Sequence, residues 1–308
     1  MTVSKGQLDV LGLGCTAVDE LLYVAAYPPA DAKARVLERE RHCGGLTATA
    51  LVAAAGLGAR CAYAGALGDD EHSRFVRESL AREGICVDHV VRRAEARPVR
   101  SVILVDERRK TRNIFYDTRD AMGADPKRPA GKWIQSSRVL LVDRYGVPGM
   151  IRAARLARAA GVAVVGDFEN RDWPRFEELF ALPDHLIVSA GFACQLTRAR
   201  TPAEAAIRLW TRGRSAVVVT CGAEGCWFWN ARLVEPAHFP AYRVTATDTT
   251  GCGDVFHGAY AAALARGLAL EERIRVASAT AALKATQRGG QSGIPTWSEV
   301  QAWLAKHG

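Results

Sequence analysis

The residues best suited to do chemistry form one unbroken string, Asp248-Thr249-Thr250-Gly251-Cys252-Gly253-Asp254-Val255-Phe256-His257-Gly258-Ala259. It sets a turn of small residues directly before an Ala-rich helix pattern, Val255 to Arg266, that closes at Gly267. The first turn of a helix leaves backbone N–H groups unpaired and carries the positive end of the macrodipole, so it attracts anions. Gly251 and Gly253 would let a phosphate come close to the backbone. A carboxylate at Asp254 would repel that phosphate unless it has a second task. Taking the proton from a hydroxyl that attacks the phosphate is such a task, and the pattern reads as phosphoryl transfer to an alcohol. Taken alone, Gly-x-Gly-Asp also fits a plain helix start in which Asp254 only complements the dipole.

Other phosphate-binding devices are missing. No Gly-x-x-x-x-Gly-Lys-Ser/Thr string occurs, and the protein-kinase motif set is absent. Gly12-x-Gly14-x-x-Ala17 imitates a dinucleotide fingerprint, but the strand-like Asp19 to Val24 follows where that fingerprint requires a helix. The phosphate cradle must then be built from the turn at 251–254.

The remaining composition limits the function classes. A chain of 308 residues is long enough for one large α/β domain or two modest ones, and 49% hydrophobic and 24% charged residues are ordinary for a soluble globular protein. Met1 to Gln7 is polar, the apolar run after it is too short for a signal peptide, and no stretch is apolar enough to span a membrane. The eight Cys lack a Cys-x-x-Cys pair or paired His ligands, as expected of reduced cytoplasmic thiols. The net charge of +8 comes from Arg scattered among Asp and Glu, with no basic run interleaved with aromatics, so nucleic acid is not an expected partner.

Several elements must position the turn. Leu8 to Gly14 reads as a buried strand and Leu46 to Leu57 as a helix opened by Cys43-Gly44-Gly45. Arg60 to Leu67 reads as one strand and Glu71 to Glu83 as an amphipathic helix. From about Ser137 strands and helices alternate, with strands at Val139–Val142, Val162–Val165, Leu186–Val188 and Ala216–Thr220. That rhythm predicts a parallel sheet with helices on both faces. Two strand pairs near 20–41 and 97–117 stand outside it, the second a hairpin around Glu107-Arg108-Arg109-Lys110. They are expected to form a small second sheet covering a site.

The string at 248–259 resembles the C-terminal signature of the ribokinase-like (PfkB-type) sugar kinases, Asp-Thr-x-Gly-Ala-Gly-Asp before a small-residue helix, with Cys252 in place of Ala. Gly44-Gly45-Leu46-Thr47-Ala48-Thr49-Ala50, followed by Gly65-Ala66-Leu67-Gly68-Asp69-Asp70, resembles the N-terminal signature. The likeness runs from Leu8 to about Pro295. It implies a ribokinase-like α/β three-layer sandwich with a mostly parallel central sheet, one kinase domain over 1–308, and lid strands inserted at about 15–43 and 96–118. It implies that Asp254 is the catalytic base and that Gly251, Cys252 and Gly253 form the anion hole. His257, one turn further on, is expected to pack rather than to act as the base.

For the sugar, the resemblance points to Asp19, Gly44, Gly45 and Thr49, the last standing where most relatives carry Asn. A hydroxyl offers less than an amide with both a donor and an acceptor. For ATP it points to Thr220, Gly222 and Gly225 in a Thr-x-Gly-x-x-Gly loop. It also points to the helix Ala277 to Gln287, through Ala282, and to Gly289 beyond it. Mg2+ is expected with ATP, yet Ser189 and Phe192 replace the Asn-x-x-Glu linked to it, so no protein ligand is assigned. Within the family, Thr49, Val255-Phe256-His257-Gly258 and Ala281-Ala282-Leu283-Lys284 resemble the sulfofructose-kinase branch, and Arg112 to Tyr116 resembles ketohexokinase. An anionic sugar tail would be held by Lys33, Arg112 and Arg144. A nucleoside kinase and a non-catalytic sugar-binding member of the fold remain as alternatives. Free edges on the lid sheet suggest a homodimer through the lid.

Overall fold

The computed structural model describes residues 8–109 and 111–307, so the polar stretch Met1 to Gln7 and Lys110 of the hairpin turn lie outside the described residues. The strands begin with β1 (Leu8–Gly12), β2 (Ala17–Val24), β3 (Val36–Gly44), β4 (Cys61–Tyr63), β5 (Ala66–Leu67), β6 (Val91–Arg92) and β7 (Val99–Asp106). They continue with β8 (Thr111–Asp117), β9 (Ser137–Val142), β10 (Ala163–Phe168), β11 (His185–Ser189), β12 (Ala216–Thr220), β13 (Cys226–Trp229) and β14 (Ala237–Phe239). The helices are α1 (Leu46–Gly56), α2 (Glu71–Arg82), α3 (Gly131–Gln135), α4 (Val147–Ala159) and α5 (Phe176–Phe180). After them come α6 (Ala190–Thr197), α7 (Pro202–Leu209), α8 (Cys252–Ala265), α9 (Leu270–Ala285) and α10 (Trp297–His307).

The large sheet has the order β14-β13-β12-β11-β10-β9-β1-β4. It is parallel from β4 to β12 and antiparallel at β13 and β14, which extend the alternating pattern by a terminal hairpin. Alternate residues of each strand face opposite sides. Val139 and Leu141 enter a core shared with α1, α8 and α9, whereas Leu140 and Val142 enter another shared with α4 and α7. The result is the three-layer α/β arrangement, with a largely apolar sheet between two helical layers.

The chain leaves β1 for β4 on one side, then returns to place β9 on the other side of β1. In open α/β sheets such a reversal leaves a crevice at the carboxyl ends of the two strands, and ligands bind there. Here that crevice is bounded by Gly14 and Cys15 after β1 and by Asp143 after β9.

A second sheet has the order β3-β2-β7-β8, with β2 and β7 parallel and both outer pairs antiparallel. Its inner face presents Leu21, Tyr23 and Ile103 as a small cluster, while Ile114, Phe115 and Tyr116 on edge strand β8 are exposed. Among the described residues no helix is long and apolar enough to cross a membrane.

Three boundaries differ from the sequence reading. Arg60 to Leu67 is not one strand. It breaks at Ala64-Gly65, where the Tyr63 hydroxyl reaches Gly14 O at 2.9 Å, and β5 departs to pair with β6. Helix α8 starts at Cys252 rather than Val255, because Gly251 (φ 72°) acts as a left-handed N-cap and accepts from Val255 N at 2.8 Å. Helix α9 starts at Leu270 rather than Ala277, with Glu271 and Glu272 complementing the dipole of its first turn.

Candidate active site

The early start of α8 has a chemical consequence. Cys252, Gly253 and Asp254 now form its first turn, and the backbone N–H groups of Gly251, Gly253 and Asp254 have no partner among the described residues. Glycine at 251 is required, since a side chain there would run into Gly290 O. Asp254 is half-buried in that first turn. Burial and the neighbouring charge of Asp167 push its pKa well above the ordinary carboxylate value, with Glu169, Asp143 and Asp19 acting the same way.

His257 takes no part in that opening. Its Nδ1 lies 2.8 Å from Gly253 O, its Nε2 lies 3.0 Å from Ile187 O, and Nε2 is 3.5 Å from Asp167 Oδ1. Both ring nitrogens are thereby occupied in the interior, which fits the packing role and leaves none free to accept a substrate proton.

Two cavities meet at the turn. One, of about 440 Å³, lies under the lid and is lined by Asp19, His42, Arg112, Thr250, Arg288 and the apolar Leu21, Tyr23, Ile103 and Val105. The other, of about 660 Å³, is lined by Thr220, Gly222, Gly225, Cys252, Gly253, Phe256 and Ala282. Ala246 and Thr249 belong to both walls. The segment Ala246 to Gly253 therefore stands between two compartments, Asp254 lining neither, and each is within the usual size range of a small-molecule site.

On the lid side, Gly44 brings bare backbone against the Asp19 carboxylate, where a Cβ would collide with Oδ2. Burial raises the Asp19 pKa, opposed by a hydrogen bond from Ser101 and the charge of His42. Gly45 (φ 97°) is the N-cap of α1 and packs on Thr16. The Thr49 hydroxyl accepts from Gln291 Nε2 at 3.2 Å. Gln291 restores an amide beside the position where Thr replaces Asn, and sequence reading did not single it out.

Three placements differ from expectation. Gly289 lies in the lid-side cavity, because Asp248 Oδ2 fixes its N–H at 3.0 Å, and it does not line the compartment that holds Ala282. Lys33 is exposed on the loop between β2 and β3 and lines neither cavity. Arg144 is buried and spends its guanidinium on Glu169 Oε2 at 2.9 Å and the Tyr145 hydroxyl at 3.3 Å. Of the three cationic candidates only Arg112 faces the lid-side cavity, 3.5 Å from Asp248 Oδ1, and Arg288 joins it there.

Asp143, beside Arg144, is the other residue that sequence reading missed. Its Oδ2 accepts from Cys15 N at 2.6 Å and Thr47 Oγ1 at 2.9 Å, and its Oδ1 accepts from Tyr145 N at 2.8 Å. It ties the ends of β1 and β9 to α1 at the crevice, and burial pushes its pKa up to about 6. A lone carboxylate at the end of the apolar run Val139–Val142 was the available signal.

A family model for pfkB family carbohydrate kinases matches residues 13–297. The chain belongs to the pfkB family of carbohydrate kinases. An aminoimidazole riboside kinase from Salmonella typhimurium is 30% identical over 285 residues, covering 86% of this chain and 88% of that one. The crystal structure of ribokinase from Thermotoga maritima superposes with a TM-score of 0.83 at 26% identity, covering 97% of this chain and 99% of the other. Arabidopsis thaliana ribokinase complexed with ribose and ATP shares the fold, with a TM-score of 0.85 at 22% identity, covering 97% and 99% of the two chains. This pfkB kinase is a phosphotransferase that acts on a sugar or a sugar derivative, nucleosides included, and family membership supports its use of ATP.

Among the described residues no group of three or more His, Cys, Asp or Glu could hold a metal ion. Ser189 instead caps α6, its Oγ accepting from Phe192 N at 3.3 Å, and the Phe192 ring packs edge-on against Phe176 and Phe180. Both residues at the Asn-x-x-Glu positions are thus spent on structure. Mg2+ with a nucleotide keeps several waters and binds mainly through phosphate oxygens, so it does not require a protein cage.

Proposed function

We propose that this pfkB kinase transfers the terminal phosphoryl group of Mg-ATP to a hydroxyl of a sugar derivative, with Asp254 as the base. The observation that carries this reading is the start of α8: Cys252 and Gly253 line one cavity, Thr249 and Thr250 just before them line the other, and three unpaired N–H groups lie beside a carboxylate. The accepting hydroxyl would approach from the lid side, its neighbouring hydroxyls held by Asp19, the bare backbone of Gly44 and Gly45, and Thr49 with Gln291. ATP would lie along Thr220, Gly222, Gly225 and Ala282, with its phosphates directed at Gly251, Cys252 and Gly253. Asp254 takes the hydroxyl proton as the new O–P bond forms and the bond from the γ-phosphorus to the bridging oxygen breaks, releasing ADP, and the N–H donors stabilise the charge on the moving phosphoryl. Mg2+, when bound with ATP, adds charge neutralisation. In this reading residues 1–308 act as one kinase unit, covered by lid segments at about 15–43 and 96–118.

Arg112 favours a substrate with an anionic tail, such as a sulfonated or phosphorylated ketose, because a guanidinium fork suits such oxygens, whereas Arg288 beside it is paired with Glu107 and Glu38. The apolar wall of Leu21, Tyr23, Ile103 and Val105 supports a second reading, a riboside whose flat base lies against it. ADP release from Mg-ATP over a panel of ketoses, sulfonated and phosphorylated sugars and nucleosides separates the two. Turnover with anionic ketoses alone supports the first, and turnover with ribosides alone supports the second. No ADP release across the panel would count against both.

The lid also supports self-association. Phe115 and Tyr116 on edge strand β8 are 56% and 68% exposed, an apolar edge that isolated proteins normally blunt. A homodimer paired through the lid is expected, and sedimentation should show a dimer that Phe115→Lys converts to monomer. A wild-type monomer at micromolar concentration would remove this part of the reading.

A further inference from the structure

Among the described residues Lys284 is the only lysine in the fully buried set, with 0% of its surface exposed, and the proposed mechanism makes no use of it. It sits in the last turn of α9 and reaches back to the chain just before the phosphate turn. Its Nζ donates to Asp248 O at 2.9 Å and to Thr250 O in a short hydrogen bond. The same end of α9 receives the other side of that segment, since Ala285 O accepts from Thr247 N at 2.7 Å and Asp248 N at 3.1 Å. The Asp248 carboxylate adds bonds from Thr250 N at 2.8 Å and Thr250 Oγ1 at 2.6 Å.

Peptide geometry turns this clamp into a statement about the anion hole. A trans peptide is planar, and its C=O and the following N–H point in opposite directions. With Thr250 O drawn toward Lys284 inside the protein, the Gly251 N–H must point the other way, towards the crevice. That N–H is one of the three without a partner. An ammonium group carries three donors and no acceptor, so it can hold two carbonyls at once and add its positive charge to both bonds.

We propose that Lys284 is a positioning residue for phosphoryl transfer: its ammonium group acts as a built-in cation that holds the Asp248 and Thr250 carbonyls and thereby aims the Gly251 N–H at the transferred phosphoryl. It touches neither substrate nor nucleotide. Its removal leaves two carbonyl oxygens facing a void that a small cation can enter.

The first test uses the wild-type protein and the panel sugar it phosphorylates. Turnover in potassium, ammonium and tetramethylammonium chlorides at equal ionic strength is expected to agree within about threefold, because the carbonyls are already occupied. Stimulation beyond that by a small cation would overturn the proposal, whatever the variants do. In Lys284→Met, kcat is expected to fall by about 10²-fold with ADP affinity kept within about threefold. Ammonium or methylammonium should restore turnover by about tenfold and tetramethylammonium should not, a response that a loss of packing alone would not give.

A calorimetric test needs no sugar. Beryllium fluoride, a mimic of the phosphoryl group, should tighten Mg-ADP binding to the wild-type protein, and Lys284→Met should lose at least about tenfold of that gain. An unchanged gain, or none in the wild type, overturns the proposal independently of which sugar is the substrate.

Discussion

Asp254→Asn is expected to lower kcat by about 10²–10⁴-fold while ATP affinity changes by less than about threefold. The substitution keeps the shape of the first turn of α8 and its N–H donors, so phosphate binding survives. It removes the one group at the turn that can take a proton from the accepting hydroxyl. Since burial and the Asp167 charge raise the Asp254 pKa, the wild-type rate should climb with pH as this carboxyl ionises. The Asn variant should lose that limb of the pH profile. Near-wild-type turnover in the variant, or an unchanged pH limb, would show that another group is the base.

Gly258→Ala is expected to cost about 1–3 kcal/mol of stability and a larger share of turnover than that loss explains. Gly258 lies on the face of α8 packed against α1, and a Cβ there would land on the Ala50 carbonyl oxygen. Backbone cannot be moved aside as the end of a flexible side chain can, so the two helices must separate. Helix α8 opens with Gly251 to Asp254, and α1 opens at Gly45 and carries Thr49. Separating them moves the phosphate side of the site away from the sugar side, and positioning is most of what phosphoryl transfer requires. Denaturant unfolding with parallel kinetics checks this. A variant as stable and as active as wild type would mean that the interface accommodates the methyl group.

The parts of the site that were legible in the sequence are those written in consecutive residues. The turn from Gly251 to Asp254 states its own chemistry, because a helix start needs only local backbone geometry. The loop Thr220 to Gly225 is similar: Gly222 and Gly225 adopt positive φ (58° and 93°) to turn β12 into β13. The lid was legible because its strands broke the rhythm of the central sheet. The cationic candidates were not. Lys33, Arg112 and Arg144 are equivalent as letters, and the fold leaves the first outside, aims the second into the lid-side cavity and buries the third against Glu169.

The sequence by itself therefore determined the α/β alternation and the small-residue turn at 251–254, which local propensity and spacing encode, and its motifs carried the resemblance to the kinase family. Only the tertiary structure decided how that turn is held and what it faces. Lys284 reaches the Asp248 carbonyl across 36 residues, Asp143 meets Cys15 across 128, and Gln291 meets Thr49 across 242. Contacts of that separation leave no periodic trace in a chain, because nothing local requires them. They arise when β9 closes beside β1 and α8 and α9 pack over the sheet, and that packing makes the turn a site.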